Sequence, residues 1–260
     1  MASVPLLLAP SALGRRVEPL RRRRTRSTGQ HVEHEQAAGA LLVAGALLVV
    51  AGGAAVAVTW LAMRGVPAVR HLDAWVERWG RGHATAASDR VLMHVTDLAD
   101  TRDTLIIGVL VGAADLLRRR NPWVIPYLLG VPLGATAVAT TIKNIAHRAR
   151  PLLDPDAQHL GPSFPSGHST TAAAFYSAVA LVIALNVAGR YTRLIAAVAV
   201  AIAVAVGATR ILLGAHWVSD VIAGLAVGWT WWALVSVVLG RRLSRGSRRA
   251  TRAVAAGDAT

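Results

Sequence analysis

The chain has 260 residues, 54% of them hydrophobic and only 16% charged, yet its formal net charge is +14 and it contains no cysteine. Apolar content that high excludes a disordered chain, the lack of cysteine excludes a disulfide scaffold or a cysteine-held metal, and the charged fraction falls below the ~25% of an average soluble domain. A membrane and a nucleic acid are the partners left for so basic and so apolar a chain, and the position of the charges decides between them.

Residues 1–36 hold seven arginines, including the run Arg21, Arg22, Arg23 and Arg24, against Glu18, Glu33 and Glu35. Residues 241–260 hold six arginines against Asp258, so the two tails carry +9 of the +14. Blocks of like charge do not fold by themselves. The segment 1–36 therefore reads as a disordered basic tail and 241–260 as a second basic tail, flanking a membrane domain over 37–240. Nucleic-acid binding is set aside, because no recognition motif is present and aromatic residues, at 5%, are too few for a stacking platform.

Residues 37–63 contain no charge, and 27 residues exceed the ~20 needed to cross a bilayer. Residues 64–102 form the longest connection, with Val69, Leu72, Trp75, Val76 and Trp79 at helical spacing. They predict one helix lying at the membrane interface, anchored by its tryptophans, with packing on the bundle as the alternative. A weaker span ends at Leu117 around the uncharged stretch 104–114, and it brings in Asp97, Asp100 and Asp103 if it starts near Val91. Further charge-free stretches cover 121–142, 169–189, 194–209 and 221–240. The expected fold class is all-α, a polytopic bundle of about six transmembrane helices with one interfacial helix.

Six spans place both tails and the loops 118–121 and 190–193 on one side, with 18 of the 28 basic residues. The positive-inside rule makes that side cytoplasmic in the cell membrane. The ten basic residues of the other side gather with two histidines at membrane boundaries, where a charge costs ~2.5–3.5 kcal/mol on insertion scales and usually marks function.

Three clusters lie there. Lys143 and Arg150 are seven residues apart, so a continuous helix ending at Pro151 carries both on one face, two turns apart. Two cations so placed make an anion clamp, or a juxtamembrane basic patch. In Pro165-Ser166-Gly167-His168, Ser166 can cap the following helix, and the amides at its start can bind a phosphate. His168 stands beside that position as an acid or base; a simple cap with an incidental histidine is the alternative. In the third cluster, His216 and Asp220 are four residues apart on one helix face, where the carboxylate can orient the imidazole, unless they are a routine surface pair. Arg210 lies about 120° away from His216 on a continuous helix, so Gly214 is expected to break the helix and let the two converge.

Together the clusters resemble the signature of the type 2 phosphatidic acid phosphatase superfamily: a lysine, six residues and Arg-Pro; then Pro-Ser-Gly-His; then Ser-Arg, five residues, His, three residues and Asp. The chain has Lys143 with Arg150-Pro151, then Pro165-Ser166-Gly167-His168, then Thr209-Arg210 with His216 and Asp220. Thr209 replaces the usual serine and keeps the hydroxyl. The resemblance implies a membrane phosphatase of lipid phosphates or diphosphates, on substrates such as undecaprenyl diphosphate, phosphatidic acid or phosphatidylglycerol phosphate. The outer-face site slightly favours a polyprenyl diphosphate carrier. It implies His216 as a nucleophile forming phosphohistidine, Asp220 as its orienter and His168 as the acid. Lys143, Arg150, Arg210, Ser166 and Gly167 would bind the phosphate. No metal or other cofactor is implied. Vanadium haloperoxidases share the motif framework but are soluble, and an anion-binding transporter or scaffold without turnover is the alternative function. Asp97, Asp100 and Asp103 are expected to pair with Arg90 or Arg102, while Arg148, His147 and His159 match no role. Lys143 is the only lysine of the chain, which suggests that its position requires a point charge rather than a guanidinium fork.

Overall fold

The computed structural model describes residues 50–151, 161–187 and 189–257. The tail 1–36 and the first half of the span expected over 37–63 lie outside them. In chain order the helices are α1 (Val50–Gly65), α2 (Pro67–Gly82), α3 (Ala86–Asp97), α4 (Thr101–Arg119), α5 (Val124–Ala146), α6 (Gly167–Ala184), α7 (Thr192–Leu212) and α8 (Val218–Gly257). Among the described residues there is no strand, as the all-α expectation requires.

Among the described residues, four segments are long and apolar enough to cross a membrane: Val124–Ala146, Gly167–Ala184, Gly189–Leu212 and Val218–Gly240. The bent pair α1 and α2, turned by 91°, makes a fifth if it is one broken span. Helix α4 has 19 residues, but Arg102, Asp103, Asp115, Arg118 and Arg119 keep it out of that group. The six-span expectation therefore meets four to five candidates here. Helix α8 runs without a break through 241–257, so the backbone of that basic tail begins as a continuation of the last span.

Residue chemistry accounts for the helix ends. Pro67 starts α2 where a missing N–H is harmless. Thr85 and Ser88 cap α3 reciprocally: Ser88 N donates to Thr85 Oγ1 at 3.1 Å, and Thr85 N donates to Ser88 Oγ at 2.8 Å. Ser166 caps α6. Left-handed Arg120 and His147 close α4 and α5.

Helix α6 is the axis of the bundle. Its span is 67% buried, against 33% for each of the other three, and it packs on α5, α7 and α8. Small residues permit this. A Cβ on Gly224 of α8 would stand 2.6 Å from Ser166 O, and one on Gly228 would strike Thr170 O. Outward-facing Leu110, Leu117, Leu133, Val198, Val204 and Val238 stay exposed, as suits a bundle solvated by lipid.

Helix α2 is amphipathic in an unexpected sense. Leu72, Trp75 and Trp79 are 49%, 58% and 49% exposed, while Asp73, Glu77 and Gly80 are buried against the bundle. Trp75 stands on the exposed face, where a membrane-interface anchor would stand, and half-exposed Trp79 also lines a cleft with Leu92 of α3 and Leu212 of α7. The acidic face is the one that reaches the interior.

Because α5, α6, α7 and α8 alternate in direction, the C-terminal ends of α5 and α7 meet the N-terminal ends of α6 and α8 at one end of the molecule. The opposite end is tied separately. Asn121 Nδ2 donates to Leu243 O at 2.8 Å, Arg119 Nη2 donates to the same oxygen at 3.2 Å, and Asn186 Nδ2 donates to Asp115 Oδ1 at 2.7 Å.

Candidate active site

All three clusters reach the same end of the bundle, and the local structure of each explains how. The first departs from the expected continuous helix. Helix α5 stops at Ala146, because His147 turns left-handed and its N–H returns to Lys143 O at 3.1 Å. Arg150 therefore stands outside the helix, on the segment that follows it, rather than two helical turns above Lys143. The two cations still converge through the loop that follows: Lys143 Nζ donates to Pro162 O at 2.9 Å, and Arg150 Nε donates to Gly161 O at 2.8 Å.

The second cluster opens α6. Ser166 Oγ accepts from Ser169 N at 3.4 Å and from Ser169 Oγ at 2.9 Å. Ser166 N donates to Asp220 O at 3.0 Å, which ties the cap to the start of α8. The first intrahelical bond is Thr170 N to Ser166 O, so the amides of Gly167 and His168 belong to the donor-rich first turn. His168 Nε2 lies 2.9 Å from Asp100 Oδ1. This corrects the expected pairing of Asp100 with arginine. Asp97 likewise faces His94, at 3.9 Å. Asp100 is the N-cap residue of α4, placed where a helix would begin rather than beside a cation of its own segment.

The third cluster contains the expected break. Helix α7 ends at Leu212, Gly214 adopts φ +72°, and α8 starts at Val218. Ala215 N and His216 N both donate back to Arg210 O, at 3.1 and 3.0 Å, so the turn curls the histidine over the end of α7. Arg210 Nη1 donates to Thr96 Oγ1 of α3 at 3.2 Å.

Arg150 links the first cluster to the third. Its Nη1 donates to Ala215 O at 2.9 Å and lies 3.2 Å from His216 Nε2. A guanidinium has no acceptor, so Nε2 is the unprotonated nitrogen and Nδ1 carries the hydrogen, an assignment made from the bonding pattern. Nδ1 faces Asp220 Oδ2 at 3.5 Å. That is long for a hydrogen bond, as site geometry often is before substrate arrives. His216 is 3% exposed and Asp220 is fully buried. Burial, opposed by Asp220, lowers the His216 pKa from 6.5 to about 4. A neutral imidazole held this way can present a nucleophilic nitrogen, and cations with first-turn amides can hold an oxyanion before it.

Three further side chains belong to this assembly. Arg148 donates from Nη1 to Asp220 Oδ1 at 2.6 Å and from Nη2 to Asp73 Oδ2 at 2.8 Å. Ser219 Oγ donates to Asp73 Oδ2 at 2.6 Å. The signals were visible as Asp73 and Glu77 four residues apart, and as a second arginine two positions before Arg150. A local pattern does not show which distant partner such side chains meet, so neither signal carried an assignment. Among the described residues, no three His, Asp or Glu side chains gather as a metal site would.

Comparison with known proteins agrees with this geometry. The PAP2 superfamily model matches residues 123–244. The chain is 36% identical over 127 residues to a lipid A 1-phosphatase of Rhizobium etli, covering 45% of this chain and 50% of that one. It spans about half the length of such lipid A 1-phosphatases. It is 36% identical over 141 residues to a decaprenylphosphoryl-5-phosphoribose phosphatase of Mycobacterium tuberculosis, covering 53% of this chain and 72% of that one. The crystal structure of a transmembrane PAP2-type phosphatidylglycerolphosphate phosphatase from Bacillus subtilis superposes with a TM-score of 0.68 at 26% identity, over 74% of this chain and 96% of that one. With the three clusters assembled in one place, this chain belongs to the PAP2 superfamily, the type 2 phosphatidic acid phosphatases.

Proposed function

We propose that the protein is an integral membrane phosphatase that hydrolyses a lipid phosphate or diphosphate through a phosphohistidine on His216. The observation that carries this reading is Arg150 Nη1 standing 3.2 Å from His216 Nε2. When that guanidinium turns to bind a phosphate oxygen, it brings phosphorus to Nε2 and frees the lone pair that otherwise accepts from Arg150. Nε2 then bonds to phosphorus as the bond to the lipid oxygen breaks. Asp220 holds Nδ1 and stabilises the positive charge the ring acquires. His168 gives a proton to the leaving oxygen. Because Nε2–H is given to Asp100, the transfer uses Nδ1–H and needs His168 in its doubly protonated form, which leaves a neutral ring whose Nδ1 can next take a proton from water. Water, deprotonated by His168, next attacks phosphorus, releases phosphate and restores the imidazole. Lys143, Arg150, Arg210, Ser166 and the Gly167 amide hold the equatorial oxygens, where charge spreads during phosphoryl transfer.

The relatives support a lipid substrate. Their names print lipid A, decaprenylphosphoryl-5-phosphoribose and phosphatidylglycerolphosphate, three different lipids that share a phosphate. An intramembrane bundle with its site at one end suits them all, since the tail stays in lipid while the phosphate reaches the site. We further propose that the tails 1–36 and 241–260 face the cytoplasm and the site opens on the extracytoplasmic side of the cell membrane.

The test is phosphate release by the detergent-purified protein from phosphatidic acid, phosphatidylglycerol phosphate and undecaprenyl diphosphate, with chelator present. Release that disappears in His216→Ala is the expected result. Release that survives in that variant refutes the nucleophile, and loss of activity on adding chelator refutes cation chemistry without metal. No release from any lipid favours an anion-binding membrane protein.

A further inference from the structure

Asp220 is a fully buried carboxylate, and its two oxygens are divided between different partners. Oδ2 faces His216 Nδ1 at 3.5 Å and accepts from Trp217 N at 3.0 Å. Oδ1 accepts from Arg148 Nη1 at 2.6 Å. The same Nη1 donates to Ser219 Oγ at 2.7 Å, and Nη2 donates to Asp73 Oδ2 at 2.8 Å. Asp73, 3% exposed, also accepts from Ser219 N at 3.0 Å and Ser219 Oγ at 2.6 Å. The result is a row of alternating charge, Asp73, Arg148 and Asp220, that ends on the neutral imidazole of His216.

We propose that Asp73 and Arg148 are positioning residues for the nucleophile, acting through Asp220. This rests on the reading of His216 given above. The geometry separates Arg148 from the phosphate-binding cations, because both of its terminal nitrogens are directed to carboxylates. A fork held at both tips fixes the guanidinium plane, and that plane fixes the rotation of the Asp220 carboxylate. With Oδ1 held, Oδ2 is the oxygen turned to His216. Arg148 also separates two buried carboxylates by a cation. Without it, the two buried carboxylates lose the cation they share, and Asp220 Oδ1 loses the partner that holds it. An Asp220 that is rotated no longer holds the Nδ1–H tautomer.

Asp73 lies on α2, outside the residues 123–244 that the family model matches, so the motifs leave it unassigned. The helix that carries it exposes Trp75 and Trp79 on its other face. The brace therefore reaches the nucleophile from an element outside the four-span bundle.

Full-length protein in detergent, assayed on the lipid that wild type cleaves best, tests this with Asp73→Asn, Arg148→Gln, Arg148→Lys and the double variant Asp73→Asn/Arg148→Gln. Loss of fine positioning can lower a rate about 100-fold. We expect kcat to fall about 10- to 100-fold in the single Asn and Gln variants, with KM and the inhibition constant of inorganic phosphate within about two-fold of wild type. Arg148→Lys restores charge without the fork and should recover only part of the loss. The double variant should be no slower than Arg148→Gln, because the pair acts as a unit. A rise in KM or in the phosphate inhibition constant at constant kcat makes Arg148 a phosphate ligand and overturns the proposal. So does a wild-type rate in Asp73→Asn, which is near-isosteric and decides the matter if the Arg148 variants do not fold. An inactive wild type, or an active His216→Ala, instead refutes the underlying catalytic reading.

Discussion

His216 is enclosed by the Ala215 turn, Arg150 and Asp220, and burial keeps its imidazole neutral down to about pH 4. Its lone pair is thus available throughout the neutral range without prior loss of a proton. The same burial gives stability a pH dependence. In the unfolded chain this histidine takes up a proton near pH 6.5, whereas in the folded protein it waits until about pH 4. Between those values the unfolded state binds more protons, so stability rises with pH and is lost on acidification from about 6.5 to 4. Replacing the group removes that contribution. Melting curves in detergent should show His216→Ala losing less stability than wild type between pH 6.5 and 4, by a slope of about one proton. Equal slopes would mean that the imidazole is not held neutral by the fold.

At the scale of elements, the site depends on how closely α6 and α8 approach. Ser166 and His168 ride on the start of α6, and His216 and Asp220 flank the start of α8. Ser166 N to Asp220 O, at 3.0 Å, joins the two. Gly224 makes the approach possible, since its Cβ would stand 2.6 Å from Ser166 O. Gly224→Ala should therefore part the two helices at the site. We expect a stability loss of about 1–3 kcal/mol, typical of overpacking, with a fall in kcat of at least about 10-fold, because small misplacements cost rate steeply. Gly130→Ala on α5, where a Cβ meets nothing within 4 Å, should leave both unchanged. Similar behaviour of the two variants, in rate and melting, would show that the α6–α8 contact does not set the site.

These elements also show what the sequence could reveal. The Ser166 cap and the Gly214 break were legible, because each requires a particular residue type at a particular backbone conformation. The end of α5 was not. His147 carries a left-handed φ of +48°, a position where glycine is the usual signal, and Pro151 four residues later attracted the boundary instead. Asp73 and Thr96 went unassigned, and Asp100 was given the wrong partner, because the three come from α2, α3 and the start of α4. Their partners Arg148, Arg210 and His168 lie 75, 114 and 68 residues away, and a local pattern has no access to such pairings.

At the scale of the whole molecule, the bundle has two unlike ends. One gathers Lys143, Arg150 and Arg210 around His216. The other is closed by Asn121, Arg119 and Asn186, which tie the α4–α5 turn and the end of α6 into the same cluster as Leu243 of α8. That second end therefore receives the loop 118–121 and the start of the basic stretch 241–257. Arginine flanks this dense resist translocation, while Asp73 and Asp220 compensate cationic charge at the other end. We propose that the tails rather than the site set the orientation, by the positive-inside rule. Because the chain has no cysteine, single cysteines report on this without background. His83→Cys, at the exposed C-terminal end of α2, marks the site end, and Thr251→Cys marks the basic end. A membrane-impermeant maleimide added to intact spheroplasts should label His83→Cys at once and Thr251→Cys only after lysis. The reverse pattern would place the phosphate site in the cytoplasm. Labelling of both before lysis would put the two ends on one side and refute the spanning bundle.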